Sequence, residues 1–318
     1  MAVLTGLDSS GMTPLYRSAR RISLRSVPRR ADGRILHPMI FSVFFTFFAF
    51  LVGLAFGSFL NVCIVRLPQD ESVIRPRSRC PNCQTPLRTR DNVPLLSWLL
   101  LRGRCRSCRW QIPLHYPLVE LATGVLFAVC FLHFGTGVHT LQAMTLSFLL
   151  LGLMVMDWQT GLLPDDLTLG GIFVGILLYI LSVYALPEPR GQLILTAPEM
   201  AIVIRLLAIA GAALLPLAVR WIYRKIRKRE GLGLGDVKML AMIAAFLGFR
   251  QTMLTLFLAI VAGAMYALLL LRKNHMVTAE EPSPWSATLP FGVFLGLAGL
   301  YSLFFGESTI SLYMRFFR

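Results

Sequence analysis

The sequence predicts an all-α polytopic membrane protein of about eight transmembrane helices, with a small zinc-knuckle domain between the first and the second. Three observations carry this. Hydrophobic residues make up 56% of the 318 positions and charged residues only 15%, with mean hydropathy +0.66, against roughly 45–50% and about 25% in soluble domains. The apolar residues gather in uncharged runs of about 20, the length that crosses roughly 30 Å of hydrocarbon. Four of the six cysteines stand as two CxxC pairs in one Arg-rich segment.

Residues 1–38 are polar, carry Arg17, Arg20, Arg21, Arg25, Arg29, Arg30 and Arg34, and show no apolar period, so they read as a disordered basic extension. Met39 opens a charge-free run to residue 65, the first span. It is too long for a signal-peptide core, and no A-x-A-like site closes it. The methionine at its head offers an alternative in which translation starts at Met39 and the extension is not native. Residues 66–115 form a polar loop expected to be a cytoplasmic zinc-binding domain built on four cysteines. Further runs at 117–134, 139–156, 166–186, 200–222, 237–248, 251–271 and 288–306 make residues 116–306 a seven-helix membrane domain, followed by a tail at 307–318. The 237–248 run is short and headed by Asp236 and Lys238, which predicts a water-accessible pocket at that end.

The 31 Lys+Arg exceed the 16 Asp+Glu by 15. The excess sits between apolar runs, a pattern better explained by membrane orientation than by nucleic acid. The 66–115 loop holds ten Arg, residues 220–230 hold Arg220, Arg224, Lys225, Arg227, Lys228 and Arg229, and Arg272 and Lys273 follow the seventh run. The opposite loops hold only Arg190 and Arg250. The positive-inside rule then puts the basic set in the cytoplasm and both termini outside. The seven arginines of residues 1–38 conflict with that placement, and a start at Met39 would remove the conflict.

Cys80, Cys83, Cys105 and Cys108 form C-x2-C-x21-C-x2-C, with Pro81 and Gly103 beside the pairs. Two such knuckles close a tetrahedral thiolate site around zinc, and four sulfurs leave no open position for substrate, so the expected role is structural. Such a metal would supply folding energy that a loop poor in aliphatic residues lacks. Reduced pairs or redox centres are the competing reading. Cys63 and Cys130 lie in apolar runs and read as packing residues.

Two aspartates supply the second signal. Asp157 ends the third span in MDWQTGLLPDD and Asp236 opens the sixth in GLGLGDVK. Counting spans puts both at one boundary, so they can meet in one cleft. Two adjacent carboxylates share a proton; the charged one takes a proton from water while the protonated one donates to a scissile carbonyl. Gly231, Gly233 and Gly235 would let an extended segment approach beside Asp236, against a plain reading as flexible linker. Pro164 starts the next helix, and Asp165 and Asp166 suit its positive end as caps. Lys238 either acts on Asp236 or snorkels, Glu120 stays undecided, and the histidines show no ligand spacing.

Taken together, these residues resemble the type IV prepilin peptidases, membrane aspartic endopeptidases of the GxGD kind. The resemblance rests on GSFLNVCIVRLP at 57–68, the CPNC and CRSC knuckles, HYPLVE at 115–120, DWQTGLLPD at 157–165 and GLGLGDVKMLA at 231–241. It covers nearly everything from Met39 to the last span. It implies cleavage of a short basic leader from prepilins or pseudopilins of type IV pili or type II secretion, after a glycine, at the cytoplasmic face of the bacterial inner membrane. It implies Asp157 and Asp236 as the catalytic pair. It also implies methylation of the new amino terminus from S-adenosylmethionine, an activity associated in the family with the cysteine loop. No glycine-rich nucleotide fingerprint follows a strand, so no residue is assigned to the methyl donor.

Two other classes compete. In a proton-coupled transporter Asp157 and Asp236 would line a pathway, but such groups sit near the midplane in repeated halves, whereas here both lie at one boundary and no repeat is visible. A membrane thiol oxidase would use the CxxC pairs, against which cytoplasmic cysteines and the 21-residue spacing tell.

Overall fold

The computed structural model describes residues 32–185, 198–228, 233–274 and 290–316. The expected extension up to residue 31 and parts of three connections lie outside them. Nine α-helices follow among the described residues: α1 Asp32–Arg66, α2 Leu96–Leu100, α3 His115–Phe134, α4 Val138–Thr160, α5 Asp165–Ala185, α6 Pro198–Arg227, α7 Leu234–Leu247, α8 Phe249–Asn274 and α9 Phe291–Phe316. The compact unit Val43–Arg318 holds both sites described below.

All but α2 and α7 are long and apolar enough to cross a membrane, seven helices among the described residues. Their outward faces are apolar: Phe47, Phe173, Leu207, Phe257 and Phe305 are all exposed. An aqueous protein does not leave so many large side chains outside, so the exterior is a lipid surface. The boundaries differ from expectation at several ends. α1 begins at Asp32, ahead of Met39. α6 runs on through Arg224, Lys225 and Arg227, where bases suit the negative end of the helix dipole. α9 reaches Phe316, so the expected tail at 307–318 is largely helix.

The eighth apolar run is α7, and at 14 residues it spans only about 21 Å. Its length matters less than its surroundings. Val237 and every residue from Met239 to Phe246 are buried, and α4, α5, α6, α8 and α9 all pack on it. A helix apolar on all sides belongs in a core, and the main core runs through it: Leu150 and Leu153 of α4, Met239, Leu240 and Ile243 of α7, Leu295 of α9. A second cluster joins Leu60, Cys63 and Ile64 of α1 to Val119 of α3 and Met156 of α4. Cys63 and Cys130 are both buried, as their placement in apolar runs predicted.

α7 ends at Gly248, whose φ of +80° admits few residues but glycine. Arg205 of α6 reaches this end, its Nη1 donating to the carbonyls of Ala244 (3.3 Å) and Phe246 (3.1 Å), while its guanidinium lies 3.9 Å from the Tyr179 ring centroid. A buried helix terminus needs such a donor for its last carbonyls.

Candidate active site and thiolate cluster

Asp157 and Asp236 are brought together. Asp157 sits in the last turn of α4, buried, four residues before the chain breaks helix at Gly161 in the left-handed region. Asp236 sits in the first turn of α7, half-buried, close enough for the two charges to act on each other. Three contacts fix the pair. Lys238 Nζ lies 2.6 Å from Asp165 Oδ1, tying the start of α7 to the start of α5. A Cβ on Gly235 would stand 2.9 Å from Leu163 Cβ, so only glycine lets α7 approach the α4–α5 turn this closely. The Val293 N–H at the start of α9 donates to Asp157 Oδ2 at 3.1 Å.

The glycine pattern before Asp236 is therefore packed, and the linker reading does not hold for Gly233 and Gly235. Gly233 is extended (φ −65°, ψ 144°) and caps α7, whereas Gly235 is already helical. Any residue adopts the Gly233 dihedrals; a Cβ there would stand 3.0 Å from Asp236 Oδ2 and push that carboxylate by a few tenths of an ångström. Gly231 lies outside the described residues. Asp165 and Asp166 do occupy the first turn of α5, and Asp165 is also the partner of Lys238. Pro164 accepts from Thr168 there.

Sequence reasoning missed two contributors. Gly292 comes so near that its Cβ would lie 2.8 Å from Asp157 Oδ2, and nothing in LPFGVF signals a partner 135 positions away. Arg205 stood unremarked within a run expected to be apolar. Glu120, undecided before, accepts from the Leu95 N–H at 2.8 Å; it belongs to a different wall, between α3 and the loop.

The four loop cysteines also converge. Their sulfurs all lie within 4.8 Å of one another, with Cys80–Cys108 at 3.8 Å and Cys83–Cys105 at 4.0 Å. A tetrahedron with metal–sulfur bonds of about 2.3 Å has edges of about 3.8 Å, so the cluster fits a zinc-sized ion. The two knuckles share one design. Each is closed by an isolated bridge, Arg79 with Pro86 and Arg104 with Gln111. In each, the residue after the second cysteine takes a positive φ, Gln84 at 56° and Arg109 at 60°, and its N–H donates back to the first cysteine's carbonyl. The sulfurs differ electrostatically. The Asn82 amide and the Trp110 N–H pull the Cys108 thiol down to about 6, Thr85 lowers Cys83, and burial pushes Cys80 up to about 11. Asp91 buttresses the second knuckle, held below the usual carboxylate range by its hydrogen bonds from Arg106. Among the described residues no other group of histidines, cysteines or acids has metal-binding proximity.

Fold and sites define a multi-pass helical membrane protein carrying a carboxylate pair in its helical core and a four-thiolate cluster in a loop. Residues 51–134 match the bacterial peptidase A24 N-terminal domain and residues 143–268 match the type IV leader peptidase family. The chain is similar to proteins named prepilin leader peptidase/N-methyltransferase. That of Myxococcus xanthus is 40% identical over 74% of this chain and 65% of its own length. That of Aeromonas salmonicida is 35% identical over 83% and 92%, and that of Burkholderia pseudomallei 38% over 81% and 85%. The chain belongs to the type IV leader peptidase family. No solved structure matches it.

Proposed function

We propose that this protein is a membrane aspartic endopeptidase that removes the leader of type IV prepilins or pseudopilins after a glycine, at the cytoplasmic face of the bacterial inner membrane, and then methylates the new amino terminus from S-adenosylmethionine. The observation that carries the peptidase reading is the meeting of Asp157 and Asp236, 79 positions apart, on the ends of two core helices. The methylation reading rests on the relatives' printed names.

The chemistry follows from the surroundings. Two neighbouring carboxylates in a partly desolvated cleft hold one proton between them. Asp157 receives the Val293 N–H at the positive end of α9, which favours its charged form. It takes a proton from a water placed between the pair as the water oxygen attacks the scissile carbonyl. Asp236 gives its proton to that carbonyl oxygen, forming a gem-diol; the proton held by Asp157 then passes to the departing nitrogen as the C–N bond breaks, and a gem-diol hydroxyl returns its proton to Asp236, releasing leader and mature chain. The four cysteines would hold a structural zinc that fixes the loop and supplies no chemistry to cleavage. A single basic set of loops supports the cytoplasmic placement.

The test is cleavage of a prepilin by purified enzyme in detergent, followed by mass spectrometry, with Asp157→Asn and Asp236→Asn alongside. Loss of cleavage in each folded variant is the expected result. Full cleavage by either variant removes the dyad and returns the proton-coupled transporter reading.

A further inference from the structure

A cavity beside the knuckle loop has neither Asp157 nor Asp236 in its lining. It measures about 570 Å³ and is bounded by the knuckle loop on one side and by α1 and α3 on the other, within the range of small-molecule sites. On α1, Leu60, Cys63 and Ile64 face Met156 of α4, the residue before Asp157. Ser58, Asn61, Val62 and Val65 line the cavity. At 100° per residue these are opposite faces of one helix, so the cavity lies on the side of α1 away from Met156.

The lining has a definite chemistry. Trp98 and Tyr116 supply aromatic surface. Glu120 sits half-buried in the wall and accepts from the Leu95 N–H, which leaves carboxylate lone pairs for a further donor or a cation. Leu95 has φ +58°, ψ −48°, an unfavourable backbone conformation for leucine that this hydrogen bond helps to hold. Two of the lining arginines are engaged, Arg66 on the Ser72 and Pro76 carbonyls and Arg106 on Asp91. Arg79 and Arg88 are exposed at the rim, where they suit a carboxylate.

From this lining we infer that the cavity is the binding site of the methyl donor, with Glu120 opposing its sulfonium charge and Trp98 and Tyr116 offering ring faces to its adenine and its cationic sulfur. The inference rests on the methylation part of the proposed function. It matches an aromatic heterocycle, a fixed positive charge and an amino-acid carboxylate to ring faces, a wall carboxylate and rim arginines. It also assigns the methyl donor to the face of α1 away from Met156, the residue before Asp157.

The test is equilibrium dialysis of labelled S-adenosylmethionine and S-adenosylhomocysteine against the full-length protein in detergent. The two ligands differ in charge at sulfur, so the wall carboxylate separates them. Glu120→Gln should weaken S-adenosylmethionine about tenfold or more while changing S-adenosylhomocysteine by less than about threefold. Val62→Trp, which fills the cavity from α1, should weaken both. Equal affinities in wild type and Glu120→Gln, or equal loss of both ligands in a Glu120→Gln protein that keeps wild-type metal content and unfolding temperature, would overturn the assignment of the charge contact. If Glu120→Gln does not fold, Val62→Trp decides: undiminished binding of both ligands by the folded variant sinks the cavity. Wild type that cuts prepilin but binds neither ligand overturns this inference alone, whereas binding without cleavage overturns the peptidase reading and leaves the cavity standing.

Discussion

Replacing Gly292 by alanine probes the least obvious support of the carboxylate pair. The added Cβ would stand 2.8 Å from Asp157 Oδ2, 3.0 Å from its Cγ and 3.3 Å from its Cβ. Ordinary contact begins near 3.4 Å, so the start of α9 and the Asp157 side chain must part by about 0.6 Å, the gap between those distances for the nearest atom. Neither side yields freely: Asp157 is buried in α4, and Gly296 and Gly299 farther along α9 are themselves pressed against Met154 and Leu150. Overpacking of this kind costs about 1–3 kcal/mol in stability. The larger effect is on catalysis, because the Val293 N–H is drawn off its 3.1 Å bond to Asp157 Oδ2 and, at roughly 100-fold in rate for 1 Å, a displacement of about 0.6 Å costs on the order of tenfold. The assay is the single-turnover rate of prepilin cleavage in detergent, read beside the unfolding temperature. A folded Gly292→Ala enzyme cutting within about twofold of wild type would refute the idea that α9 sets the Asp157 carboxylate.

Three further outcomes follow from the same geometry. Arg205→Met should take the side-chain donor from the Phe246 carbonyl and leave the Ala244 carbonyl with the Gly248 N–H alone, at a cost of about 1–3 kcal/mol; the fall is read by thermal unfolding, and an unchanged midpoint contradicts the capping role. Lys238→Met removes the 2.6 Å pair with Asp165, but the two side chains are 33% and 58% exposed, so the stability loss stays below about 1 kcal/mol; a collapse of the fold would show the pair to be structural in a way its exposure denies. Cys80→Ser should drop bound zinc, measured by elemental analysis, to under about a tenth of the wild-type content, since three thiolates and a hydroxyl hold the ion far less well; full zinc retention would remove the cluster as the metal site.

The helices were legible because a bilayer imposes a length, and runs of about 20 uncharged residues are visible without any partner. The knuckles were legible because both halves of each ligand pair lie within four positions. What the sequence hid depends on contacts between distant segments. Arg205 reads as one charge in an apolar run until the end of α7 is known to lie against it. Gly292 looks like any glycine at a span entrance until Asp157 is beside it. The extent of α9 through Phe316 was missed because Glu307, Ser308 and Thr309 read as a polar tail; in the helix Gln251 donates to Glu307 and Thr309 bonds to the Phe305 carbonyl. Glu120 stayed ambiguous because its partner is a backbone N–H in the loop, and backbone leaves no mark in composition.

The shortness of α7 bears on where the carboxylates sit. Its 14 residues cover about 21 Å, roughly 9 Å less than the hydrocarbon thickness, so at least one end must stop inside the membrane. A terminus there exposes carbonyls or N–H groups that lipid cannot satisfy. The Gly248 end carries a donor for its last carbonyls, Arg205. The Asp236 end meets the exposed Gly233 and a lysine–aspartate pair that is partly open to solvent. Exposed groups at that end support a carboxylate pair within reach of water.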